Sequence, residues 1–521
     1  MTRLRLRADV RVVVQYRDTT PFGSAIGRRA DEATLVAYAP LVEHIRTHGT
    51  ADLTQVAPGL LETSVRSDAF ARLTEPDGAG AWRIRPEMLF PQPAQAPPHA
   101  LWLECPSSAG KLRANLPAAH WPLVHDLLAR LNGVGCDEDG DPNLHQDMRA
   151  LLRAMRNENL LEAVGDPSRL AEIADADLTF VGHNTVMVRS GSTRVLVDPL
   201  FFPHATTYPT EYQPLSIGDI GAPDAVLITH SHPDHFDPGS LLRISPETRM
   251  IVPFIERETL LAVAMTERLR ELGFTRVQVL EWGQSTSVGD IEVHALPFYG
   301  EQPTDGDVLH PTVRNAGNTY LVRTPTFSAV FLADSGRDGQ GDVKQVSSRT
   351  RARLGPVDIV FAGYRGWLTY PAQHLLSSVT RFLLFVPPAL WSVRQKIMID
   401  ADDALDVAER WGARFVAGYA DGGAPWYWQV GLGPRLDDEA PHELSAFDPF
   451  PEWLGVRAGS RSQAPDGTPI SSPVRPLLIR PGDSLRDVAG TPTTVRVAGH
   501  AWPYAERRIL EPVLAGAPGA D

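Results

Sequence analysis

The sequence predicts an α+β protein whose main body is a four-layer sandwich of helix, sheet, sheet and helix. Three observations predict it. From Asp177 onward, short apolar runs alternate with turn residues in strand–turn–strand order. Later in the chain, strands alternate with helical segments, so a strand-rich half and a strand–helix–strand half share one core. After the first meander, the apolar run Ala225-Val226-Leu227-Ile228 leads directly into Thr229-His230-Ser231-His232-Pro233-Asp234-His235-Phe236, a cluster of polar ligands at a strand end.

Ahead of that body, residues 1–170 read as an N-terminal α+β domain, winged-helix-like in its mix of helical clusters and small strands. Leu4-x-Leu6 and Val10-x-Val12-x-Val14 alternate as strands. Leu35, Ala39, Val42 and Ile45 stripe a helix from about Glu32 to His48; Gly49 stops it, and Asp52-Leu53-Thr54 opens a second. Ala81 to Arg85 reads as a short strand. Trp121 to Leu131 and Asp147 to Val164 read as amphipathic helices, the latter with Leu151, Leu152, Met155 and Leu160 on its apolar face. No catalytic motif occurs here, so the expected role is docking or dimerisation, the partner in the second case being another copy of the chain.

The catalytic body is assigned to residues 171–436. Leu178 to Val181, Val186 to Val188 and Arg194 to Val197 form a meander, with Gly191-Ser192 as a hairpin turn and Asp198-Pro199 at its end. A helix is expected from about Glu256 to Leu272. Strands are expected at Val277 to Leu280, Ser287-Val288, Ile291 to Leu296, Asn318 to Arg323, Ser328 to Leu332, Val357 to Phe361 and Arg414 to Gly418. Residues 437–521 lose periodicity and read as a C-terminal extension packed on the catalytic domain.

Composition narrows the function classes. The chain is 43% hydrophobic and 21% charged, with a net charge of −14. That balance argues for a soluble globular protein and against nucleic acid or an acidic membrane surface as partner. Two cysteines, Cys105 and Cys136, make a disulfide framework unexpected. The start shows no apolar signal segment, and Phe382 to Val386 is too short to span a bilayer, so a cytoplasmic protein is expected.

The chemistry lies in the His-x-His-x-Asp-His cluster. His230 and His232, two apart on a chain leaving a strand, can face one cation; Asp234 and His235, after the turn at Pro233, can face a second. Imidazole and carboxylate are ligands that zinc and iron accept. His183 is a candidate outer partner or ligand. Arg314, Asn318, Tyr364 and Arg365 are candidate substrate-binding residues, and Pro425-Trp426-Tyr427-Trp428 reads as a core cluster or a pocket wall. His310, His374 and His442 read as solvated or hydrogen-bonded histidines.

Together these features resemble the metallo-β-lactamase-fold superfamily over about Asp177 to Gly433. Gly182-His183-Asn184 with Val195-Leu196-Val197-Asp198-Pro199 is similar to the opening hairpin of its lactonase-like and phospholipase-D-like branch. Phe331-Leu332-Ala333-Asp334-Ser335-Gly336 is similar to the strand ending in the superfamily's metal-bridging aspartate, which implies that Asp334 bridges two ions. Two positions depart from the pattern. Where a histidine usually follows the strand Val293 to Pro297, the chain offers Glu301, with His294 as the alternative. Where the last histidine is usual, the nearest candidate is Asp421.

Carboxylates in place of histidines make a harder, more anionic site, suited to iron chemistry with O2. One subgroup has such a set: the dinuclear-iron β-hydroxylases of nonribosomal peptide antibiotic biosynthesis, of the chloramphenicol-pathway type. Resemblance to it implies two iron ions, with His230, His232 and Glu301 on one, Asp234 and His235 on the other, and Asp334 between. It also implies O2 and an external electron donor as co-reactants, and an amino acid on a peptidyl carrier protein as substrate. Docking of such an acidic partner would need a local patch, and Arg3 to Arg7 and Arg349 to Arg353 are the arginine-rich candidates. The competing reading is a hydrolase of a phosphodiester, lactone or thioester with two zinc ions and a bridging hydroxide. A third is a non-enzymatic recognition protein.

Overall fold

A computed structural model describes residues 3–16, 98–137, 144–164, 173–201, 213–259, 261–302, 314–364, 398–420, 453–461, 474–497 and 499–500, with a few short pieces between them. The helices expected from Glu32 and from Asp52, Arg365, Asp421, the aromatic run 425–428, and His310, His374 and His442 lie largely or wholly outside the described residues.

Two sheets stack face to face. The first has eight strands in the order β6-β5-β4-β3-β2-β1-β14-β15. These are β1 (Leu178–Gly182), β2 (Thr185–Ser190), β3 (Thr193–Val197), β4 (Ala225–Leu227), β5 (Arg249–Pro253), β6 (Val277–Leu280), β14 (Asp483–Arg486) and β15 (Thr493–Arg496). The second has seven strands in sequence order, β7 to β13. They are β7 (Ser285–Val288), β8 (Ile291–Pro297), β9 (Asn318–Arg323), β10 (Ser328–Phe331), β11 (Ile359–Ala362), β12 (Phe415–Gly418) and β13 (Arg475–Leu477). The segment expected as a C-terminal extension therefore supplies one strand to the second sheet and two to the first.

The apolar runs follow from burial on both faces. Along β10, β11 and β12, Ala329, Phe331, Ile359, Phe361, Phe415 and Ala417 face the core between the sheets. The alternate residues Val330, Val360 and Val416 pack outward. They meet α4 (Val343–Leu354), α5 (Ala401–Trp411) and α6 (Trp453–Ser460). Helix α5 starts at an Asp400/Asp403 capping box and ends at Gly412 in the left-handed region.

On the other side, Met187, Leu196, Val226, Met250 and Val252 of the first sheet share one core with Trp121, Leu128 and Leu152. These belong to α1 (Trp121–Asn132) and α2 (Gln146–Asn157), and α3 (Met265–Leu272) joins them. The four-layer αββα order is thus observed, and N-terminal helices contribute to its first layer. No helix among the described residues is long and apolar enough to cross a membrane.

Two expected helices are shorter than predicted. α2 ends at Asn157 because Asn159 takes a left-handed φ of 54° and Leu160 N–H returns to Met155 O; residues 161–163 then pair with Leu4–Leu6. The helix expected from Glu256 begins only at Met265. Thr259 Oγ1 accepts from the amides of Leu261 and Ala262, and Glu258 accepts from Ala264 N–H, so side chains outcompete the helical ladder there.

His125 of α1 reaches across this interface, with Nε2 2.7 Å from Ile244 O and Nδ1 3.1 Å from Leu272 O. Burial pushes its pKa down to about 4, outweighing the two carbonyls. The unfolded chain then binds the extra proton first, so stability is lost as pH falls from about 6.5 towards 4, by about 3 kcal/mol at most. Urea midpoints measured across that window should fall less steeply in His125→Gln than in the wild type.

Candidate metal centre

Parallel pairing of β3 with β4 sets Val197 beside Leu227, and so places Asp198 next to Thr229 at the strand ends. Asp198 accepts from Thr229 N–H at 2.7 Å and from the Thr229 hydroxyl at 2.6 Å. The chain then turns through the histidine cluster. His230 forms an isolated bridge with Gly317, where a Cβ would lie 2.6 Å from Thr229 O and 2.9 Å from His230 Cβ, so only glycine allows this approach.

The second sheet supplies the opposing carboxylates. Glu301 follows β8 and Asp334 follows β10, both buried. Glu301 Oε2 lies 2.9 Å from His232 Nδ1 and 3.3 Å from His230 Nε2. Asp334 Oδ2 lies 3.8 Å from His230 Nε2 and 3.3 Å from His235 Nε2. The potential ligand atoms of His230, His232, Glu301 and Asp334 fall within 4.8 Å of one another, as do those of Asp234, His235 and Asp334. Asp334 is common to both groups, which is the position a bridging carboxylate needs.

Outer contacts orient these side chains. His235 Nδ1 lies 2.7 Å from Asp198 Oδ2, leaving Nε2 to face Asp334. His183 Nε2 lies 3.0 Å from Asp234 Oδ2, and Asn184 donates to Asp234 O. Asn315 Nδ2 donates to Glu301 Oε2 at 3.2 Å, while the Gln302 side chain both donates to Asn315 O and accepts from Asn315 N–H. Such outer partners fix ring tautomers and carboxylate direction around a metal.

The backbone carries strain at the same place. His183, Asp198, Glu301 and Ala333, none of them glycine, have φ of 49°, 40°, 51° and 48°. Each costs about 1–3 kcal/mol, and such residues concentrate where a side chain must be aimed.

The donor set fits metal ions. His230 Nε2, His235 Nε2, Asp234 Oδ1 and Asp334 Oδ1 are buried without a hydrogen-bond partner among the described residues, an expensive arrangement unless cations satisfy them. Burial works against a charged His235, but Asp198, then Asp234 and Asp334, outweigh it and hold its pKa well above the usual value. Burial, with His235 and His232 nearby, holds His230 well below. Burial raises the pKa of Asp234, yet His235 and His183 bring it well below the carboxylate range. The pocket therefore stabilises positive charge beside its carboxylates, and bound cations would take the place of the protons.

The other sequence candidates fall elsewhere. His294 lies in β8 between the inward Val293 and Ala295, and its Nε2 meets Glu292 at 3.2 Å; alternation turns it away from the cluster, so it is not the third ligand. Tyr364 is wholly buried in the core beneath the outer helices. Arg314 pairs with Asp338, and Asn318 Nδ2 donates to Leu280 O at 3.0 Å. Asp198 and Asn315 were missed by sequence reasoning. For Asp198 the signal was present in Asp198-Pro199 at the end of the strand preceding the metal strand; for Asn315, 14 residues beyond Glu301, there was none.

Residues 177–382 match the family model described as "Beta-lactamase superfamily domain". The 4-amino-L-phenylalanyl-CmlP-peptidyl-carrier-protein 3-hydroxylase of Streptomyces venezuelae is 34% identical over 190 residues, covering 36% of this chain and 33% of the relative. The match thus spans about a third of that relative's length. A metal-dependent hydrolase of Halobacterium salinarum is 45% identical over 60 residues, 11% of this chain and 21% of that protein. Among solved structures, CmlA, a diiron β-hydroxylase from Streptomyces venezuelae, superposes with a TM-score of 0.57 at 18% identity, covering 95% of this chain and 99% of that one. At that identity the likeness is one of fold, and it extends over nearly the whole of both chains.

Proposed function

We propose that the chain, whose residues 177–382 match the beta-lactamase superfamily domain, is a dinuclear-iron, O2-dependent hydroxylase. Its substrate would be an amino acid, held by a carrier protein. One observation carries the reading: Glu301 Oε2 sits between His230 and His232 where an all-imidazole set would suit zinc. Two histidines and one carboxylate are the set that non-haem iron oxygenases favour.

His230, His232 and Glu301 would hold one iron, Asp234 and His235 the other, with Asp334 between. When bound, the pair supplies reductive O2 chemistry, in which R–H, O2, two electrons and two protons give R–OH and water, the electrons coming from an external donor. The chain's own part is positioning. Asp198 keeps His235 Nδ1 engaged, so Nε2 is the ligand nitrogen. His183 takes one oxygen of Asp234, leaving Oδ1 for the ion. Phe298, its ring 5.0 Å from that of His230, covers one side of the cluster with an apolar face.

The carrier-bound substrate follows the chemistry named for the Streptomyces venezuelae relative. Arg3, Arg5 and Arg7 each lie beside a carboxylate, of Asp137, Glu162 and Asp9. The exposed Arg349, Arg351 and Arg353 on α4 are therefore the better landing surface for an acidic carrier. Residues 1–170 would serve docking or self-association through the surface left by the shared core. The test is incubation of the iron-loaded protein with reductant, labelled O2 and aminoacyl carrier. Incorporation of one labelled atom supports the reading; hydrolysis of the thioester without incorporation contradicts it.

The alternative, a hydrolase with two zinc ions, draws on the His-x-His-x-Asp-His cluster itself, which suits a bridging hydroxide equally well.

If Asn315 aims Glu301, Asn315→Ala should weaken iron binding by roughly 10–100-fold. Equilibrium competition with a chelator checks this, and Asn315→Gln should recover part of the affinity. An unchanged affinity would remove Asn315 from the metal site.

A further inference from the structure

Away from the metal centre, a second cluster of ligand side chains lies in the N-terminal region. His120 ends the short turn Ala118–His120 and precedes α1. His145 is the N-cap of α2, and Asp147 stands in that helix's first turn. Potential ligand atoms of these residues all lie within 4.8 Å of one another. We propose that His120, His145 and Asp147 form a separate site for one borderline divalent ion, zinc by its donor set, which ties the start of α1 to the start of α2.

Two imidazoles from different elements converge on one carboxylate oxygen. His120 Nε2 is 2.9 Å, and His145 Nδ1 is 3.6 Å, from Asp147 Oδ2. Four-coordinate zinc with ligand bonds near 2 Å keeps neighbouring donors roughly 3.3 Å apart, so the two separations bracket what the ion requires. The rings meet edge to face at 6.1 Å, which leaves both free of stacking.

The donor set has the charge and composition that a divalent cation accepts. Asp147 N–H donates to His145 Nδ1 at 3.3 Å, a long contact that coordination of this nitrogen would replace. Two neutral imidazoles and one carboxylate carry a net charge of −1, and water completes a four-coordinate zinc shell. The partial exposure of His145 and Asp147 leaves an entry path for the ion. Residues 133–144 run between the two helices, so the ion would close that connection.

The test uses the full-length protein without a polyhistidine tag, its central site loaded with iron, equilibrated with low-micromolar zinc and freed of excess. Zinc and iron are counted per chain in the wild type, His145→Asn and His120→Gln. Asn retains N-capping ability and Gln retains a polar contact to Asp147, so both variants keep the helix starts. The expected result is one zinc more in the wild type than in either variant, at equal iron. Equal zinc in all three proteins, or no zinc bound beyond the central site in the wild type, overturns the proposal. Zinc entering the central site would appear as lost iron in every protein alike, so this test stands whatever the central site proves to do.

Discussion

Asp334→Ala should leave a folded chain that no longer holds a metal pair. Asp334 is the one residue common to both ligand groups, with Oδ2 3.8 Å from His230 Nε2 and 3.3 Å from His235 Nε2. Losing an outer partner of a metal ligand costs roughly 10–100-fold in affinity or activity, and losing a shared ligand should exceed that. Hydroxylation should therefore fall to background. Metal analysis should find at most one weakly held ion, while the urea midpoint of the metal-free variant stays near that of the metal-free wild type, because the change removes a buried carboxylate without disturbing either sheet. Retention of two tightly bound ions would show that Asp334 does not bridge them.

Glu301→His should separate metal binding from oxygenation. The substitution restores the imidazole that the wider superfamily carries and removes one of the two oxygens nearest His230 and His232. Metal content should survive, with zinc favoured over iron, because a neutral set of imidazoles stabilises oxidised iron less well. O2 uptake should disappear. Oxygenation at the wild-type rate in this variant would end the argument that the carboxylate selects the chemistry. The left-handed backbone at residue 301 is a cost that both side chains share, so comparison with Glu301→Asp holds that factor constant.

The fold was legible because its signal is repeated. Strands buried on both faces produce unbroken apolar runs, and β4, β10, β11 and β12 announce themselves that way, whereas β5 went unpredicted. The expected helices failed where a polar side chain or a left-handed residue stopped them. Thr259 and Glu258 hold local amides, and Asn159 reverses the chain, effects of one or two residues that periodicity averages away.

The candidate ligands were legible because they stand next to strand ends, in β4, β8 and β10, that the sheets bring together. Their supports were not. Asn315 reaches Glu301 from 14 residues along the chain, and Asp198 reaches His235 through the register of two parallel strands. Such contacts exist only once the chain has folded. His294 misled because it is a metal-ligand type in the right strand, and only alternation shows that it points away from its neighbours' core.

The account's central claim is that the carboxylate-rich pocket holds iron and uses O2. It is tested most directly by purifying the protein without added metal, measuring its metal content with an iron-specific spectrum, and following O2 consumption in the presence of reductant and aminoacyl carrier. The account predicts a coupled pair of irons and O2 uptake matched by hydroxylated product. Two zinc ions, hydrolytic turnover and no O2 uptake would contradict it.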